Sequence, residues 1–194
     1  MRPAGASPRA RTGGFSLLEL AVVTCLVAIL ATIGLYKIWE LRVAAERAGV
    51  MHVVGSIRSA LGIEIAHRVA ESRVGTIPEL DGTNPMDLLA QRPRTYIGEH
   101  ADPTPGRIAP GRWYFDATAG ALVYRVRFEQ AVETTLTGPK RLRFEVAVVY
   151  GDRDRNGRFD PARDEVYGAD LVALEPYAWK GEEKRPNLAP SLQK

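Results

Sequence analysis

From position 20 to position 36, seventeen consecutive residues carry no charge, inside the segment FSLLELAVVTCLVAILATIGLYKIW at 15–39. A helix that crosses a bilayer needs roughly 20 predominantly apolar residues, and this stretch comes close to that length. It is therefore read as a membrane segment. Arg2, Arg9 and Arg11 precede it, so the start of the chain is expected on the cytoplasmic side and the remainder outside. A cleaved signal peptide would need small residues of the A-x-A type after the apolar run. The run ends instead in Tyr36-Lys37-Ile38-Trp39, with Tyr36 and Trp39 suited to the membrane interface.

The chain has 194 residues, enough for one ordinary core besides this segment. Three of its 26 basic residues lie in the first 14 positions, where there is no acid, and the rest balance its 23 acidic ones. Charge balance therefore indicates no nucleic-acid partner. Cys25 stands alone, so no disulfide can close within the chain.

Glu19 lies within the apolar segment, where a buried carboxylate costs several kcal/mol unless it is paired. The plain reading places it at the wet headgroup boundary. The string Gly13-Gly14-Phe15-Ser16-Leu17-Leu18-Glu19, behind a basic leader and ahead of an apolar helix, resembles the processing signature of type IV pilins and type II secretion system pseudopilins. The resemblance is firm over 13–40 and architectural beyond. It implies that a prepilin peptidase cuts between Gly14 and Phe15 and that Phe15 undergoes N-methylation. It also implies that Glu19 pairs with the free amine of a neighbouring subunit during assembly. The partners implied are other pilin or pseudopilin subunits, the inner membrane and an assembly platform protein, with the head in the periplasm until it joins a pilus or pseudopilus.

Beyond Trp39, Val43, Val50, Val54, Ile57, Leu61, Ile65 and Val69 form one apolar stripe, with Arg42, Glu46, Arg47, Arg58 and Glu64 between them. A continuous helix from Phe15 to about Ser72 is expected, apolar all round at first and amphipathic later, with Gly34 offering a bend. A helical turn is expected after Asn84-Pro85. Alternation at Trp113 and Phe115, at Leu122, Tyr124, Val126 and Phe128, and at Leu142 to Tyr150 predicts antiparallel strands. The fold class is α+β: a long N-terminal helix whose C-terminal half packs on an antiparallel sheet of three or four strands. The organisation expected is leader 1–14, transmembrane and polymerisation helix 15–39, head 40–181 and tail 182–194.

The segment GDRDRNGRFDPARDE at 151–165 spaces oxygen ligands at alternate positions, with a glycine after the third, like the first half of a calcium loop. Asp152, Asp154 and Asn156 would ligate by side chain, Arg158 by its carbonyl, and Asp160 directly or through water. The twelfth loop position is Arg163, so the closing carboxylate would be Asp164 or Glu165. An ordinary polar turn is the plain alternative. In secretion pseudopilins calcium often replaces the disulfide of pilins, and the resemblance implies a structural Ca2+ here. No H-E-x-x-H, G-x-S-x-G or phosphate loop occurs, and His52, His67 and His100 are read as isolated surface residues, so no enzyme is expected. The second functional reading is a membrane-anchored periplasmic binding or sensor module that never polymerises.

Overall fold

The computed structural model describes residues 16–153, 160 and 164–180. A helix, α1 (Leu17–Ala70), runs unbroken through Gly34. Two units divide the chain, Met1–Arg42 and Val43–Lys194.

In the first unit every described residue is exposed, apolar ones included, as Leu17 at 86% and Leu26 at 56% illustrate. The helix is long and apolar enough to cross a membrane. Its two threonines satisfy their hydroxyls internally: Thr24 Oγ1 donates to the Leu20 carbonyl and Thr32 Oγ1 to the Ala28 carbonyl, both at 2.8 Å. Such back-bonding leaves no orphan hydroxyl for hydrocarbon to surround.

In the second unit the same helix turns amphipathic. Val50, Val54, Ile57 and Leu61 are buried, with Val43, Val53 and Ile65 packed at the margin. Val69, expected on the stripe, is 51% exposed, in the last turn of a helix that ends at Ala70.

Among the described residues seven strands follow: β1 (Tyr96–His100), β2 (Arg112–Asp116), β3 (Ala121–Arg125), β4 (Val132–Thr134), β5 (Arg141–Gly151), β6 (Glu165–Ala173) and β7 (Tyr177–Trp179). The main sheet has the order β1-β2-β3-β5-β6, and β4 pairs with β7 separately. Strands β2, β3 and β5 are antiparallel neighbours, as the alternating patterns predict, β6 extends them as a further antiparallel strand, and β1 adds a parallel edge. The hairpin between β2 and β3 turns at residues 117–120: Asp116 accepts the N–H groups of Thr118 and Ala119, and Gly120 takes a φ of +62° that favours glycine. Strand β3 ends at Arg125 instead of running to Phe128, because residues 129–131 turn into a 3₁₀ segment.

Trp113, Phe115, Leu122, Tyr124, Leu142 and Phe144 line the face that meets α1, and Leu171 and Trp179 complete this core. Trp113 stacks at 4.8 Å from Tyr124 and 5.9 Å from Phe144. A smaller cluster, Tyr114, Ala121 and Val123 under Ile108 and Leu174, covers the opposite face. The turn after Asn84-Pro85 forms as expected, with Asn84 accepting the Met86 N–H at 3.1 Å. The Asn84 amide faces Asp87, Tyr96 and Glu99. Two protons serve three acceptors there, which ties that turn to β1.

Candidate functional site

The amino-terminal site begins at Ser16, since Gly14 and Phe15 lie outside the described residues. Ser16 Oγ accepts the backbone N–H of Glu19 at 3.1 Å. That contact satisfies one of the orphan donors of the first helical turn, and Glu19 places its charge where the helix dipole favours an anion. Ser16-x-x-Glu19 is a capping-box pattern, a signal legible in the sequence and not used there. Both residues are exposed, and among the described residues no cation pairs with Glu19. Chemically the site offers an accessible anion one turn into a capped, apolar helix.

The second site is the loop after β5. Of its expected ligands, Asp154, Asn156 and Arg158 lie outside the described residues. Asp164 is central among the rest: its carboxylate accepts the N–H of Arg153 at 3.0 Å and of Asp160 at 2.7 Å. The Asp164 N–H returns a bond to the Asp160 carbonyl at 2.8 Å. Glu165 pairs with Arg153 at 3.0 Å. The two residues left open as the closing ligand therefore have different local duties. Asp164 pins both ends of the loop, whereas Glu165 holds an exposed ion pair worth little in water. Burial pushes the Tyr150 phenol above its ordinary range, with the nearby charges of Asp152, Asp164 and Asp81 adding to it. As a test for calcium, the donors are hard oxygens of the right kind. Yet among the described residues no three His, Cys, Asp or Glu side chains gather as a metal shell would need.

A site that sequence reasoning missed joins α1 to the sheet. The carboxylate of Glu46 accepts the Tyr124 hydroxyl at 2.8 Å and the backbone N–H groups of Arg127 and Phe128 at 2.6 and 3.0 Å. Spacing was the available signal: Glu46 stands three residues after Val43 and four before Val50, on the buried stripe and not between its members. Burial, and then the Glu46 charge, push the Tyr124 phenol far above its ordinary value.

His52 and His67 are exposed, as expected, and His67 lies 3.3 Å from Glu71. His100 departs from expectation. It is half-buried with its edge to Tyr114, and its Nε2 is enclosed without a hydrogen-bond partner. An open groove of about 600 Å³ runs between Ser59 and Ile63 of α1 and residues 87–90. Its two carboxylates are engaged, Glu64 by Arg68 and Asp87 by Arg92, each at 2.7 Å. No family model, curated protein or solved structure gives a significant match to the chain.

Proposed function

We propose that this protein is a structural subunit of a type IV pilus or type II secretion pseudopilus, anchored in the inner membrane with its head in the periplasm. In this reading a prepilin peptidase releases the leader after Gly14, Phe15 is methylated, and the apolar helix polymerises through an assembly platform. The observation that carries it is the change of character along α1. The helix opens on a Ser16 cap with Glu19 in its first turn, carries no charge from Leu20 to Tyr36, stays exposed through residue 42, and then buries a single stripe in an α+β head. A lone anchor has no need of an accessible anion at that depth, whereas a subunit that must seat beside another has.

Mass spectrometry of the native protein tests the reading. The expected amino terminus is Phe15, heavier by one methyl group. An intact leader, or a cut after Tyr36, would favour the non-polymerising sensor instead.

The proposal includes calcium at 152–165 as a stabiliser of the head, with Asp152, Asp154, Asn156, the Arg158 carbonyl and Asp160 as donors. Asp164 supports it by tying the loop ends together, and each of its oxygens keeps a lone pair for the ion. A ligand a hundredfold above its Kd stabilises the folded state by about 2.7 kcal/mol, so calcium should raise the melting temperature of the full chain by several degrees over chelator. Identical melting in the two conditions would leave Asp164 as a metal-free clasp.

A further inference from the structure

The sheet face turned away from α1 carries a rung of like charges. Arg112, Arg125 and Arg141 stand directly opposite one another across β2, β3 and β5. Cross-strand partners approach to about 5 Å at Cβ, and like charges so placed repel. Compensation within the chain is slight. Glu129 accepts from Arg125 at 2.6 Å, and it is the one carboxylate that pairs with the rung among the described residues. Arg112 donates to the carbonyl of Arg94 at 3.4 Å, and Arg141 to those of Thr137 and Pro139 at 3.0 and 3.2 Å. These are neutral acceptors. Arg125, only 7% exposed, leaves its Nε–H enclosed without an acceptor. Tyr114 lies next along the same face, and Arg141 and Arg125 are among the charges about its phenol.

Three guanidinium groups against one carboxylate leave an excess of two positive charges on a rung that reaches solvent at Arg112 and in part at Arg141. A phosphate group carries about −1.5 to −2 at neutral pH and presents oxygens that the planar guanidinium fork matches. We propose that the Arg112–Arg125–Arg141 rung is a binding site for a phosphate-class oxyanion, either free phosphate or the phosphate of an anionic lipid headgroup. This inference does not depend on the proposed function. Arg112 is exposed and Arg141 half-buried, so both are open to a ligand, whereas Arg125, between them on β3, is a buried charge held by Glu129.

The full chain in neutral detergent is the material for the test. In one arm inorganic phosphate is titrated at constant ionic strength and the melting temperature is followed. In the other, native mass spectrometry measures retention of phosphatidylglycerol against phosphatidylcholine. Binding is expected in at least one arm: a phosphate response identifies the free anion, and selective retention of phosphatidylglycerol identifies the headgroup. Arg112→Gln with Arg141→Gln should weaken that binding at least tenfold, and the lysine versions should weaken it less. Relief of repulsion should meanwhile leave the ligand-free variant melting no lower than the parent, which separates loss of binding from loss of fold. Failure of the parent in both arms, or equal binding by the glutamine variant, would overturn the site.

Discussion

Glu46 shows how much one side chain can hold. Replacing it with alanine strands three donors, the Tyr124 hydroxyl and two backbone N–H groups, in a partly buried joint. Hydrogen bonds to a charged group contribute about 1.5–3 kcal/mol each and do not simply add, so Glu46→Ala should destabilise the head by about 2–4 kcal/mol. Glu46→Gln keeps an acceptor oxygen and should cost less, and thermal melting of the pair checks both. Two other carboxylates predict the pH response. Hydrogen bonding from Arg125 holds Glu129 below the ordinary carboxylate value of 4.5. Its stabilising share is complete above that value and fades as pH falls through it toward the lower folded pKa, an effect reduced by the exposure of Glu129. Glu145 is the opposite case: burial, and then the charge of Asp81, raise its pKa in the folded head, with Arg143 opposing and Glu175 adding to the rise. Its ionised form therefore weakens the fold at neutral pH, so Glu145→Gln should raise the melting temperature at pH 7, with the gain shrinking as pH falls through the raised folded pKa toward the ordinary value of 4.5 and absent below it. Glu19→Leu should enter the membrane and be processed normally, since it removes an acid from an apolar helix, yet join filaments poorly in a pilus assembly assay.

At the scale of elements, α1 gives a clean contrast between its two faces. Ile57 is fully buried, and Ile57→Ala should cost about 2–5 kcal/mol in chemical denaturation. Ile63, 72% exposed on the far side, should change stability by no more than about 0.5 kcal/mol on the same replacement. Helix and central strands were legible because their periods of 3.6 and 2 survive in the sequence, from Val50 to Leu61 and from Leu142 to Val146. Strand β1 was not, because Gly98 at φ +100° sits where its register shifts and its five residues show no sustained apolar alternation. Its parallel partnership with β2, across a connection that holds one 3₁₀ turn at Pro105–Arg107, leaves no local trace either. Strand β6 was hidden by the acidic run that leads into it, and by the extra residue Tyr167 that breaks its match to β5. Of the candidate sites, the capped start of α1 and the polar loop were visible as residue types. The division of labour between Asp164 and Glu165 was not, since it depends on backbone N–H groups that only the folded loop brings together.

For the molecule as a whole, the exposed apolar helix predicts that the full chain stays in the membrane pellet after alkaline carbonate extraction, and release into the supernatant would remove the anchor. The head closes late. Arg58 of α1 donates to the carbonyl of Leu171 at 2.8 Å, 113 positions further on, and Asp170 lies 3.3 Å from the same guanidinium and takes the Leu171 N–H at 2.8 Å. Together these contacts occupy the open side of β6 at Leu171, where a stray strand would otherwise add. The distance along the chain also sets a schedule during synthesis. A ribosome adding 5–20 residues each second would leave the valines and isoleucine of the α1 stripe uncovered for roughly 6–23 s before Leu171 emerges. For that interval the newborn chain carries two apolar surfaces, one suited to lipid and one suited to a sheet not yet made. Its safe delivery calls for a holding factor, or a translocation channel, that shields the second surface while the first is being inserted.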